Sequence, residues 1–352
     1  MRKAMALGFA AMVTCAPNRA SGMLIVINPD ATLSANAPAL AAFDRAGQAW
    51  SAHFTNDITI NISAGLSSSF SDPTVIGNTS AVKFAMGYDQ FRGYLLASAA
   101  KDPNNAIVAS TPDNAHFTAT LPAGISLNTI QGQTQRIFLT TKANYKALNL
   151  PINLDATYGA NDATITFNSN FKFDYDNSNG VDADKIDFQS VATHELGHAL
   201  GFLSAVDSVD ILKHNGQSST SLDLSPLDLF RFRDNTAGQD PSSLAEFTND
   251  PRYLDTGGNA ILDDLSLERA LSTGRYTGDG LEASHWKDDA LSGQYLGIMD
   301  PSMNLGATET ITANDIRALD LIGYDVAIPE PTGLAAMLSV IMVLLHRGRR
   351  SN

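Results

Sequence analysis

The segment Thr193-His194-Glu195-Leu196-Gly197-His198-Ala199-Leu200-Gly201-Phe202 constrains this chain more than any other stretch. On an α-helix, residues four apart share a face, so the imidazoles of His194 and His198 can meet at a single ion and one rigid turn supplies two ligands. Glu195 is not at ligand spacing. It follows the first histidine directly, however, and can reach a water on an open metal position as general base. With seven His and six Glu in 352 residues, the pattern would arise by chance in roughly two of a thousand such chains. The flanks suit a helix: Asp187 as N-cap, Val191, Ala192, Ala199 and Leu200 as an apolar stripe, and Gly201 where left-handed backbone ends the helix. The segment reads as a zinc-hydrolase helix.

The two ends read as processing signals. Arg2 and Lys3 precede an apolar run from Ala4 to Val13 and small or polar residues through Gly22, the pattern of a secretory signal peptide over residues 1–22. Cys15, the sole cysteine, lies inside it, so the mature chain is expected to lack disulfides and thiol ligands. Any metal must then be held by His, Asp or Glu. At the other end, Pro329-Glu330-Pro331 precedes an apolar run from Leu334 to Leu345 and the basic stretch His346-Arg347-Gly348-Arg349-Arg350. The run is shorter than the ~20 residues of a stable membrane span. Residues 329–352 resemble the PEP-CTERM sorting tail of Gram-negative bacteria, with an ordinary C-terminal anchor as the alternative. The resemblance implies a transient inner-membrane tether, processing by an exosortase-type enzyme, and delivery to the cell surface or extracellular matrix. Without both ends the chain keeps 17 of its 23 basic and 36 of its 37 acidic residues, a net charge of about −19, which argues against a nucleic-acid partner.

Between the ends, periodicity suggests alternating helices and strands. Leu24–Ile27 is a short apolar run that can open a sheet, and Leu40, Phe43, Gly47, Trp50 and Phe54 recur at helical spacing. Ile58, Ile60 and Ile62 alternate as in a half-buried strand. Tyr88, Phe91 and Leu95 suggest a second helix, and residues 136–141 a buried strand. Ala163–Asn168 alternates again and is expected to be an edge strand, along which an extended substrate could pair. Asp174 to Gly180 has the composition of a calcium loop, but its glycine falls at position seven and no Glu closes it at position twelve. It reads as a polar turn, with Ca2+ kept as a second candidate ion. Residues 222–232 are apolar with helical or strand character, and residues 262–271 look like a short helix. Neither a repeat nor a Pro/Ser-rich linker divides the chain. The expected organisation is one domain over 23–328 with an insertion at about 205–283.

A catalytic zinc needs three protein ligands and an open position. Six residues after His198, where a compact site would place the third, stands Ser204, which cannot serve well. Asp207 lies three residues further on. His285, in Ala283-Ser284-His285-Trp286, is the other candidate, followed by Gly297-Ile298-Met299-Asp300-Pro301. The order of HELGHALGF, a long insertion, SHW and a methionine turn resembles the leishmanolysin-like branch of the metzincin zinc metalloproteases, and more broadly bacterial metalloproteases with a PEP-CTERM tail. The resemblance covers residues 187–325, ending in the capped helix signature of residues 311–320. It implies an α+β, zincin-like fold with a twisted mixed sheet, an active-site helix and a C-terminal helical lobe. It also implies ligands His194, His198 and His285, Glu195 as base, and Met299 packed beneath the ligands. Two features depart from that family. The chain lacks its cysteine-rich surroundings, and the nearest tyrosine after Met299 that could serve the transition state is Tyr324, beyond the final helix.

Two functions follow as expectations. The first is an exported zinc endopeptidase acting on polypeptide substrates, with Glu195 activating water. The second is a surface or matrix protein that uses the zinc site for structure or binding without proteolysis. Glu195, the first Glu in the chain, favours the enzyme, because a structural site gains nothing from a carboxylate beside the metal.

Overall fold

The computed structural model describes residues 22–102, 105–217, 220–233, 244–254 and 269–327. The signal peptide expected over residues 1–22, apart from Gly22, and the sorting tail expected over 329–352 therefore lie outside the described residues. Among those described, no helix is long and apolar enough to cross a membrane.

The architecture is α+β. Strand β1 (Leu24–Pro29) leads into helix α1 (Ala37–Ser51) and returns as β2 (Thr59–Ser67), which pairs parallel to it. Asn36 caps α1 by accepting from the Ala39 N–H, and Pro38 occupies the first turn, where its missing N–H costs nothing. The strands β3 (Gly77–Ala81), β4 (Lys83–Gly87), β5 (Ile137–Thr141) and β6 (Ala163–Asn168) follow, with helices α2 (Tyr88–Ala99) and α3 (Lys142–Ala147) between them. The main sheet has the order β1-β2-β6-β3, parallel except for its last strand.

That order corrects one expectation. β6 is hydrogen-bonded on both sides, so Ala163–Asn168 is an inner strand; the edge belongs to β3. The reason is visible in the side chains. Ala163, Ile165 and Phe167 are buried, as an inner strand requires, whereas Gly-Asn-Thr-Ser-Ala at β3 has no large apolar residue to announce it. Phe167 meets Phe43 of α1 edge-to-face at 5.2 Å and Phe188 at 4.6 Å, so the sheet packs on the helices behind it.

The second half is built on helix α4 (Phe188–Leu200), followed by α5 (Val206–His214), and on the strands β7 (Arg231–Phe232), β8 (Arg252–Leu254) and β9 (Arg269–Leu271). These three strands form an antiparallel sheet in the order β7-β8-β9. Residues 269–271 are thus a strand where a short helix was expected; the rest of that stretch, 262–268, lies outside the described residues. Leu271 is buried, paired with Arg252 and bridged to Trp286, and these contacts override the helical spacing. Helix α6 (Ala313–Leu321) opens with Thr312 and Asp315 in a capping box. The three-stranded sheet falls within the stretch expected as an insertion, and helix α6 follows it.

Candidate metal centre and cleft

Helix α4 is apolar on nearly every side: Phe188, Val191, Ala192, Leu196, Ala199 and Leu200 are all buried. A helix of that kind belongs in a core. Asp187 caps it, accepting from the Gln189 N–H and the Ser190 hydroxyl, and Gly201 ends it at φ +121°. The indole of Trp50 donates to the Thr193 carbonyl at 2.8 Å, fixing α4 against α1 one residue before the first histidine.

The fold brings His194, His198 and His285 to one point. Nε2 of His285 lies 3.1 Å from Nε2 of His194 and 3.1 Å from Nε2 of His198. Each ring turns its other nitrogen to a backbone carbonyl: His194 Nδ1 to Ile298 O at 2.7 Å, His198 Nδ1 to Phe202 O at 3.0 Å and His285 Nδ1 to Glu282 O at 3.0 Å. A carbonyl has no proton to offer, so each Nδ1 carries the hydrogen and each Nε2 presents a lone pair to the shared centre. Burial holds His194 down to about 3, His198 to about 4 and His285 well below the ordinary range, so a proton does not fill the gap near neutral pH. Three lone pairs facing one another, from the buried His194 and His285 and the half-buried His198, suit a cation, and the three histidines form a group that could hold a metal ion.

Asp207, the other candidate for third ligand, is not in this group. Its Oδ1 accepts from the Ala283 N–H at 2.6 Å, and its Oδ2 from the Ser284 N–H and hydroxyl. It therefore clamps the segment that delivers His285. Arg231 donates to the Ala283 carbonyl at 3.0 Å from the other side, and Asp228 holds Ser204 and Ala205. The residues between α4 and His285 thus supply the mount for the third imidazole.

Glu195 faces the edge strand. Its Oε2 accepts from the Thr79 hydroxyl at 2.6 Å, and a Cβ placed on Gly77 would fall 2.5 Å from its Oε1. Only glycine lets β3 run this close to the carboxylate. Burial pushes Glu195 up to about 7; the Thr79 hydrogen bond opposes the rise and the charge of Glu282 adds to it. Met299 is fully buried beneath Gly197, where a Cβ would collide with its Sδ. Tyr324 is buried and donates to the Leu200 carbonyl at 2.8 Å, a structural position outside the cleft.

The histidines and Glu195 lie in a cleft of about 1250 Å³, whose walls include Gly77 and Thr79 of β3, Asp207, and Pro301 and Met303 after the methionine turn. Asp288, Asp289 and Asp300 form a second group that could hold a metal; burial and the two neighbouring aspartates push Asp300 up to about 6. The aspartates of the loop after β6 are engaged internally. Asp174 accepts from the N–H groups of Asp176 and Asp182, and Asp176 from Ser178. Thr79 and Gly77 escaped the sequence reading, because a short polar strand gives no periodic signal and their role exists only through strand pairing. Comparison with protein-family models, curated proteins and solved structures returns no match to this chain.

Proposed function

We propose that the chain is an exported, zinc-dependent endopeptidase of metzincin type, leishmanolysin-like in the order of its ligands. The observation that carries this reading is the convergence of three Nε2 lone pairs beside a buried carboxylate in an open cleft. Three imidazoles are a donor set that zinc favours, and they leave a coordination position open. When bound, the metal would supply Lewis acidity and lower the pKa of a water.

The chain's own residues do the rest. Glu195, anchored through Oε2 by Thr79, takes a proton from the attacking water as the new C–O bond forms, and delivers it to the amine nitrogen as the C–N bond breaks. The main chain of β3, paired with β6 on one side only among the described residues, offers its other edge to an extended peptide. A cleft of about 1250 Å³ has room for several peptide residues. Export, the transient tether and exosortase-type processing are proposed from the terminal sequences alone.

The test is the variant Glu195→Gln. It should keep about one zinc per chain and lose nearly all turnover of an unfolded polypeptide such as casein, a fall of at least about 100-fold for a general base. Cleavage at the wild-type rate would overturn the mechanism, and full metal content without cleavage in the wild type would favour a binding protein.

A further inference from the structure

We propose that Asp315, at the start of helix α6, is a positioning residue for the metal centre; the role rests on reading the three histidines as metal ligands. Asp315 is fully buried, and four N–H groups converge on its carboxylate. Oδ1 accepts from the Trp286 indole at 2.7 Å and the Met299 N–H at 3.3 Å; Oδ2 accepts from the Ile298 N–H at 2.9 Å and the Thr312 N–H at 2.7 Å. The Thr312 hydroxyl stands 3.0 Å from Oδ2. Every group around the carboxylate is a donor, so the site demands a group that only accepts.

Two of these bonds lead to the histidines. The Met299 N–H and the Ile298 carbonyl are opposite ends of one peptide unit. The carboxylate pulls on the first while His194 Nδ1 donates to the second, so Asp315, one peptide plane and one imidazole form a chain of hydrogen bonds. A negative charge at the far end polarises that peptide, strengthens the carbonyl as acceptor and makes Nε2 of His194 a better donor of electrons. The second bond fixes the indole of Trp286, the residue after His285; the backbone N–H of Trp286 donates to the Met299 carbonyl at 2.9 Å. One carboxylate thereby sets the orientation of ligands that come from α4 and from the segment after the insertion. Gly297 permits this closure, since a Cβ there would collide with both Asp315 oxygens.

A purely structural capping role for Asp315 makes a different prediction. The Thr312 hydroxyl also caps helix α6 by accepting from the Asn314 N–H; Thr312→Ala removes that cap and the hydroxyl beside Oδ2 but keeps all four N–H bonds to Asp315 and the route through Met299 to His194, so it serves as the control that loosens the helix. The experiment measures zinc affinity by chelator competition and the absorption of the cobalt-substituted protein, using the full mature chain. Asp315→Asn must turn an amide N–H₂ toward donors. Its zinc dissociation constant should rise about 10- to 100-fold, the usual effect of losing a partner behind a ligand, and its cobalt bands should shift. Thr312→Ala should lower the melting temperature of the metal-free protein and leave both readouts unchanged. A folded Asp315→Asn with zinc affinity within about threefold of wild type would overturn the role. If that variant does not fold, Trp286→Phe, which removes one donor and keeps the carboxylate, takes its place. A shift of its cobalt bands supports the role and an unchanged spectrum overturns it. Wild-type protein that binds neither metal would overturn the metal-centre reading itself and this role with it, an outcome separate from a variant that binds as the wild type does.

Discussion

The chemistry proposed for the cleft depends on how a single carboxylate is held. Glu195 has one oxygen tied to Thr79 at 2.6 Å and the other against the bare Cα of Gly77, so β3 sets both its position and its freedom to rotate. Removing the Thr79 hydroxyl leaves a buried acceptor without its donor, which costs about 1–3 kcal/mol at the site and lets the carboxylate turn. Thr79→Val should therefore reduce kcat/KM by about 10- to 100-fold, with kcat carrying most of the loss and zinc content unchanged. Thr79→Ser, which keeps the donor, should recover most of it. Steady-state kinetics beside metal analysis checks both, and a Thr79→Val enzyme as active as wild type would show that Glu195 needs no such anchor. Asp300 answers to a different variable. Its folded carboxyl titrates at about 6 because it is buried beside Asp288 and Asp289, against about 3.9 in an unfolded chain. The folded state thus binds this proton more tightly, and without added divalent cations Asp300 contributes a slope of stability that rises as pH falls from 6 toward 4. Asp300→Asn should flatten that slope in thermal melts; an unaltered slope would assign it to other groups.

Elements with a dense apolar period were legible in the sequence. The stripes through Phe43 and Trp50, through Tyr88, Phe91 and Leu95, and the alternation at Ala163–Asn168 all fall inside helices or strands of the kind expected. Neighbours were not legible. The alternation of Ile165 and Phe167 is the same whether a strand has one partner or two, and the deciding strand, β3, is polar and short. The contact between α4 and the methionine turn was implied by the family resemblance alone; periodicity gives no sign of it, because it depends on the absence of a side chain. Gly197 lies on the face of α4 toward Met299, where any Cβ would meet the thioether. Met299 is fully buried and has no solvent to move into. Gly197→Ala should gain about 1 kcal/mol of helix propensity and lose more through overpacking, typically about 1–3 kcal/mol, while tilting α4 between its two histidines. A net fall in melting temperature with weakened zinc binding is expected in calorimetry and chelator titration. A stabilised variant with normal zinc affinity would mean the turn does not support the helix.

Across the whole molecule, the third imidazole comes from 87 and 91 residues beyond the first two. Elimination among a few histidines could find His285, but only the folded chain shows what brings it there: the Asp207 clamp, Arg231 on the Ala283 carbonyl, and the pairing of Leu271 with Trp286. A metal at the triad would join α4, which is packed on the main sheet, to the segment around His285, and so link the two halves of the fold. An ion that binds the folded chain alone stabilises it by about 4 kcal/mol when present at a thousand times its dissociation constant. With an unfolding entropy of about 2.1 cal/mol/K per residue, a chain of this size shifts about 1.5 °C per kcal/mol, so that is on the order of 6 °C in melting temperature. Stripping the metal with a chelator should lower the melting temperature by that order, and restoring zinc should return it. In His285→Ala the difference between stripped and zinc-loaded protein should shrink to a small fraction, because the long-range ligand is gone and the two remaining histidines lie on one helix. Differential scanning calorimetry on the four samples decides it. If stripping leaves the melting temperature of the wild type unchanged while metal analysis shows zinc removed, the ion does not join the halves, and His285 is held by the Asp207 clamp and strand pairing alone.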